Sequence, residues 1–282
     1  MKLLRYGPKG QEKPGLVDGA GRLRDLSGIV ADINPELLAP AALDRLRKTD
    51  PHGLPLVAGN PRLGPCLTQI PKLVCVGLNY TDHAKETGAA IPKEPILFMK
   101  ATSALSGPND DVMLPRGAKK GDWEVELGIV IGTQARYVPE HDAMKHVAGY
   151  CIVNDVSERE FQMERGGQWT KGKSADTFCP IGPWLVTADE VPDPQKLELS
   201  CEINAKVMQK GTTANMIFGV AHLVSYISHF LTLMPGDVIP TGTPAGVGLG
   251  MKPPVFLKSG DTMKLAISGL GEQRQKVTAF GE

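Results

Sequence analysis

Gly121-Asp122-Trp123-Glu124-Val125-Glu126-Leu127-Gly128-Ile129-Val130-Ile131 alternates polar with apolar residues. A period of two marks a β-strand, whose successive side chains point to opposite faces. Trp123, Val125 and Leu127 then share one face, and Asp122, Glu124 and Glu126 the other. Adjacent glutamates on one face repel, and burying them unpaired is costly. One way out is a solvent-washed outer face, the ordinary fate of such alternation. The other is a hard divalent ion, which converts the repulsion into coordination by oxygen ligands.

Downstream, Val147 to Val153 is an apolar run that ends at Asn154-Asp155. Asp155 is either a turn residue or a third carboxylate that completes a partial shell with Glu124 and Glu126. Residues 157–176 are polar and contain Gly166, Gly167 and Gly172, which predicts a helix near Ser157 passing into a mobile loop. In such a helix Arg159 and Gln162 lie near the face of Asp155, where a guanidinium can clamp a substrate carboxylate with two prongs. Lys173 in Thr170-Lys171-Gly172-Lys173-Ser174 is either a solvated charge or a group that stabilises an oxyanion.

Upstream, Lys72 to Leu78 reads as a buried strand, followed by a helical turn from Thr81 to Thr87 capped by Thr81 or Asp82. His83 and Glu86 are three apart and share a helix face. They form either a weak surface contact or a pair in which Glu86 orients the imidazole to deprotonate water. The apolar stripe of Ile217, Val220, Val224, Ile227 and Leu231 predicts a helix over 216–231. Thr241-Gly242-Thr243-Pro244-Ala245-Gly246-Val247-Gly248 lacks the Gly-Lys-Ser/Thr ending of a phosphate loop. It is either a structural turn or a tight loop presenting the Thr243 hydroxyl and backbone N–H groups to a ligand. Residues 261–280 read as two strands joined by Gly269 to Glu272.

Residues 1–70 read as a small unit: a strand in MKLLRYG, a turn at Val17-Asp18-Gly19, a helix over 35–48 interrupted by Pro40, and a Pro/Gly-rich linker over 53–71. The larger unit is 71–282. Strands dominate without regular helix alternation, which predicts a β-rich α+β fold rather than a doubly wound sheet.

Composition narrows the function classes. The 282 residues contain 31 Lys plus Arg and 31 Asp plus Glu, so no net charge argues for nucleic acid or an anionic membrane as partner. Cys66, Cys75, Cys151, Cys179 and Cys201 are odd in number and widely spaced, which predicts free thiols in a reducing, cytoplasmic setting. MKLLRYGPKG carries no apolar core long enough for a signal peptide. The uncharged stretch 211–236 is interrupted by Asn215, His222, Ser225, Ser228 and His229, which predicts a buried helix and not a membrane span.

Five segments in order carry a specific resemblance: Val76 to Glu86, Asp122 to Leu127, Asn154 to Arg159, Lys171 to Ser174, and Thr241 to Gly248. Together they resemble the fumarylacetoacetate hydrolase family over roughly residues 72–280. The resemblance implies a mixed β-roll with a small N-terminal α/β domain, usually in a homodimer. It implies Mg²⁺ or Mn²⁺ held by Glu124, Glu126 and Asp155, and a water-activating dyad of His83 and Glu86 on a closing lid. It further implies oxyanion stabilisation by Lys173, and contacts from Arg159, Gln162 and Thr243 to a small keto-acid substrate. The expected activity is hydrolysis of a C–C bond in a 2,4-dioxo acid, an acylpyruvate or a 2,4-diketo-3-deoxy sugar acid, releasing pyruvate. Ureidoglycolate lyase and oxaloacetate decarboxylase or tautomerase are the enzymatic alternatives, and a small-molecule-binding protein on the same fold the non-enzymatic one.

Overall fold

The computed structural model describes residues 1–282. A ten-stranded mixed sheet runs in the order Leu23–Asp25, Lys13–Val17, Lys2–Tyr6, Cys179–Thr187, Val147–Asn154, Val125–Ile131, Val238–Pro240, Leu73–Gly77, Ile96–Lys100, with Leu105–Ser106 beside Cys179–Thr187. A five-stranded sheet contains Lys206–Thr212, Glu198–Ile203, Thr262–Ile267, Gly271–Ala279 and Val112–Leu114. The strands are built from the runs that favour a buried pleated surface, and Val125, Leu127, Ile129 and Ile131 are all fully buried. The architecture is the expected β-rich α+β class, with helices confined to short connections.

Register places the carboxylates. Val153 pairs with Glu126 and Asn154 with Val125. Beyond the last pair, the Asp155 N–H donates to the Glu124 carbonyl at 3.0 Å. Two strand ends therefore deliver Glu124, Glu126 and Asp155 to one spot. The expected continuous strand over 121–131 is broken at Trp123-Glu124. The Asp122 carboxylate accepts from the Trp123, Gly248 and Leu249 N–H groups at 2.9, 2.7 and 3.0 Å, and Gly121–Asp122 pairs instead with Ser157–Glu158.

Other boundaries differ from the sequence reading for local reasons. Pro40 does not interrupt a helix but begins one, Pro40–Arg47, where its missing N–H is harmless. The helix expected over 216–231 spans only Val220–Ser228, because the Ile217 and Phe218 N–H groups donate to Asn79 instead. The helix Thr81–Thr87 has Tyr80 at its N-cap with no capping side chain, while the Asp82 carboxylate takes the His83 N–H at 2.8 Å. Residues 157–176 hold two helical pieces, Arg159–Met163 and Thr170–Lys173.

The N-terminal strands join the central sheet, with Lys2 opposite Val186 and Leu3 opposite Leu185. Leu3, Leu16, Leu26 and Leu38 belong to the same core cluster as Val125 and Ile152. The stretch 53–71 is pinned by bridges from Leu63 to Tyr6 and from Leu56 to Arg24. All five cysteines are unpaired and buried, and no helix is long and apolar enough to cross a membrane.

The inner strands meet without room for a side chain at Gly149, where an added Cβ would lie 2.2 Å from the Val186 carbonyl oxygen. Backbone cannot yield there as a flexible side chain would. Gly149→Ala is therefore expected to destabilise the fold by about 2 kcal/mol or more. Chemical denaturation checks this, and an unchanged midpoint would show that the two strands can part without penalty.

Candidate active site

Glu124, Glu126 and Asp155 lie with their ligand oxygens within 4.8 Å of one another. All three are buried, at 5%, 1% and 0% exposure. The wet outer face open on sequence grounds is thereby excluded. Around them the charges are nearly balanced. Lys173 Nζ donates to Glu124 and Asp155, each at 2.7 Å. Lys100 Nζ donates to Asp155 at 2.5 Å. Arg159 donates to Glu124 at 2.6 Å and to Asp122 at 2.8 Å.

Glu126 is the member left over. It accepts one backbone N–H, from Gly242 at 2.9 Å, and has no cation. Burial, and then the Asp155 and Glu124 charges, push its carboxyl well above the usual range. Burial also acts to raise Glu124, but Lys173 and Arg159 outweigh it and hold that carboxyl well below the usual range. Neutralising Glu126 requires a proton or another cation. A divalent ion fits this donor set: hard oxygen ligands, spacing that bonds of about 2.0–2.6 Å can span, and a carboxylate without a countercharge.

His83 and Glu86 come together as their spacing predicts, with His83 Nδ1 3.3 Å from Glu86 Oε2. Glu86 is itself fixed by the Gly246 N–H, at 3.0 and 3.1 Å to its two oxygens. The glycine-rich loop thus acts on the dyad through its backbone. A third-party hydrogen bond of this kind fixes the orientation of an imidazole, which general-base action requires. The dyad and the carboxylates line one cleft of about 570 Å³, together with Lys173, Arg159, Gln162 and Thr243.

All the side chains singled out in the sequence therefore converge, but Thr243 and Arg159, expected to contact substrate, are engaged within the protein, as Lys173 is. The Thr243 hydroxyl donates to the Val125 carbonyl at 2.9 Å and accepts from Gln209 at 2.7 Å, tying the loop to the residue between Glu124 and Glu126. The Arg159 guanidinium spans Asp122 and Glu124 and touches the Gln162 side-chain oxygen at 3.1 Å. Lys100 and Gln209 carry no signal in the sequence, and Asp122, placed there on the face of Glu124 and Glu126, is given no role of its own. Lys100 ends an apolar strand that carries no motif, and its pairing with Asp155 spans 55 residues. Same-face alternation from Glu124 was the available signal for Asp122.

Removing Arg159 leaves two buried carboxylates without their shared cation. Arg159→Ala is expected to destabilise the protein by about 3–5 kcal/mol. Arg159→Lys should recover only part of this, since an ammonium cannot reproduce the rigid fork. Thermal unfolding of the variants checks the order, and equal midpoints for Arg159→Lys and the native chain would refute it.

Residues 72–278 match the family model described as fumarylacetoacetate (FAA) hydrolase C-terminal. The chain belongs to the fumarylacetoacetate hydrolase family. A protein of Burkholderia cenocepacia (strain HI2424) carrying a provisional hydrolase name is 60% identical over 277 residues, 98% of each chain. Among solved structures, maleylpyruvate hydrolase from Sphingobium sp. SYK-6, in complex with manganese(II) and pyruvate, is 30% identical, with TM-score 0.82 over 99% of each chain. 2-Hydroxyhepta-2,4-diene-1,7-dioate isomerase from Mycobacterium marinum is 34% identical, with TM-score 0.77 over 100% of each chain. The family fold is thus the one described above, and the relatives of this chain include both a hydrolase and an isomerase.

Proposed function

We propose that the chain is a divalent-metal-dependent hydrolase that cleaves the C3–C4 bond of a 2,4-dioxo acid and releases pyruvate. The observation that carries this reading is the buried carboxylate triad sharing one cleft with a fixed His83–Glu86 pair. The manganese and pyruvate named with the Sphingobium enzyme support it.

In this reading Glu124, Glu126 and Asp155 hold Mg²⁺ or Mn²⁺, which supplies Lewis acidity toward the keto-acid head. His83, oriented by Glu86, takes a proton from water, and the resulting hydroxide adds to the C4 carbonyl carbon. The C3–C4 bond then breaks with its electron pair going to C3. The proton passes to C3, so that pyruvate leaves with a methyl group and the acyl part leaves as an acid. Lys173 stabilises negative charge that develops on the head oxygens. Arg159, Gln162 and Thr243 border the substrate: Gln162 with its unengaged amide nitrogen, the other two by fixing the walls.

The similarity to the M. marinum isomerase favours a second reading, in which the same dyad moves a proton within an unsaturated keto acid without admitting water. A panel of keto acids, assayed with Mg²⁺ and with Mn²⁺, separates them. Pyruvate released from a 2,4-dioxo acid is the expected result. Isomerisation without pyruvate would replace the hydrolase reading with the second one. Glyoxylate from ureidoglycolate, or decarboxylation of oxaloacetate, without any C3–C4 cleavage would assign the site to a lyase.

A further inference from the structure

At about 570 Å³ the cleft has the size of a pocket for a drug-sized ligand. A pyruvoyl head fills only a fraction of it, so most of the cleft receives whatever hangs on C4. The larger apolar side chains that line the cleft are Leu78, Phe98, Met163, Trp169, Leu249 and Met251.

The aromatic members begin at the reacting end. The Phe98 ring centroid lies 5.1 Å from Lys173 Nζ, the ammonium that bridges Glu124 and Asp155. Phe98 and Trp169 then form a tilted pair, with centroids 5.3 Å apart and planes at 60°. Trp169 lies directly on the strand Leu73–Gly77. A Cβ on Gly77 would stand 2.4 Å from its ring, so glycine is what admits the indole there.

The buried cations of the cleft are already committed. Arg159 spans Asp122 and Glu124, Lys173 bridges Glu124 and Asp155, and Glu86 takes His83 and the Gly246 N–H. Lys252 is the lining cation with no ion pair, and it is exposed. A carboxylate on the substrate tail would therefore find only the solvent-screened charge of exposed Lys252 while lying against apolar side chains, which is costly. A flat hydrocarbon tail would instead gain burial and ring contacts.

We infer that the C4 substituent of the substrate is an uncharged aromatic or unsaturated hydrocarbon group seated on the Phe98–Trp169 wall. The preferred substrates are thus 2,4-dioxo monocarboxylates, neither dicarboxylates nor polyhydroxylated sugar acids. This rests on the hydrolase reading above. The balanced reaction is R–CO–CH₂–CO–COO⁻ plus water giving R–COOH and CH₃–CO–COO⁻, with R the group on the wall.

The test follows pyruvate release by the Mg²⁺-loaded protein from three compounds that share a head: 2,4-dioxo-4-phenylbutanoate, 2,4-dioxopentanoate and 2,4-dioxoheptanedioate. The phenyl compound is expected to exceed the dicarboxylate in kcat/KM by about 100-fold or more, the scale of rejecting a group that a pocket leaves unpaired. Trp169→Ala should lower kcat/KM for the phenyl compound by about 10-fold or more while changing the methyl compound by less than about 3-fold. Trp169→Phe, which keeps a ring, should retain the preference. Lys252→Ala should leave turnover of the phenyl compound unchanged. Preference for the dicarboxylate, abolished by Lys252→Ala, would overturn the inference while leaving the hydrolase reading intact. Equal losses for the phenyl and methyl compounds in Trp169→Ala would also overturn it. No pyruvate from any of the three would end the hydrolase reading and this inference with it.

Discussion

Glu126→Gln is expected to raise the stability of the chelator-treated protein and to abolish the further rise that Mg²⁺ or Mn²⁺ gives the native chain. Both effects have one cause. Glu126 is buried at 1% exposure and has a single backbone N–H as partner, while its neighbours Glu124 and Asp155 are matched by Lys173, Lys100 and Arg159. Without a metal its charge is a burden. Removing a buried charge of this kind is worth about 1–3 kcal/mol or more.

The pH dependence follows from the direction of the shift. The Glu126 carboxyl is raised by burial, Asp155 and Glu124. A raised carboxyl contributes stability that is present below the ordinary glutamate range and is lost as pH rises through the raised value. The gain from Glu126→Gln should therefore grow with pH in the metal-free protein. With metal the order reverses. An ion at about 1,000 times its dissociation constant stabilises the native chain by about 4.1 kcal/mol, more than the roughly 1–3 kcal/mol gained by the variant, which forgoes it. Turnover should fall by about 10³-fold or more, corresponding to the several kcal/mol a Lewis acid supplies. Calorimetric ion titration and thermal unfolding across pH, with and without metal, check the crossing. Undiminished ion affinity in Glu126→Gln would remove it from the ligand set.

His83→Ala tests the other half of the site. The imidazole is oriented by Glu86 at 3.3 Å and shares the cleft with the carboxylates. Loss of a positioned general base lowers kcat by about 10²–10⁴-fold. Because His83 is absent from the carboxylate cluster, ion affinity should stay within about threefold of native, which separates its role from that of Glu126. Glu86→Gln should fall between native and His83→Ala, since the amide can still meet His83 but not with a full charge. Native turnover in His83→Ala would show that another group activates water, and the proposed mechanism would be wrong.

Much of the site was legible because the chemistry fixes residue types at short spacings. Glu124 and Glu126 are two apart where an extended segment enters the strand Val125–Ile131, and His83 and Glu86 three apart on a helix. Either arrangement is a contact that local geometry enforces. What could not be read was the partner of each charge. Lys100 reaches Asp155, Arg159 reaches Asp122, and Gln209 reaches Thr243, each across more than 30 residues of chain. No period in a sequence encodes such pairs.

The fold divides in the same way. Alternation and apolar runs mark Leu73–Gly77, Val125–Ile131 and Val147–Asn154 as strands, because burial on a pleated surface demands those residues. The hairpin of Glu198–Ile203 with Lys206–Thr212 and the strand Ile96–Lys100 carry weaker patterns and emerge only in the sheets they complete. By itself the sequence determined the β-rich class and the family pattern and marked Glu124, Glu126 and Asp155 as candidates, since these follow from local residue choice. Only the tertiary structure decided that the carboxylates are buried rather than wet, and that Glu126 alone lacks a countercharge. It also decided that the glycine-rich loop holds Glu86 through its backbone. Burial and electrostatic balance are sums over neighbours brought from across the chain, and strand register, not residue order, chooses those neighbours.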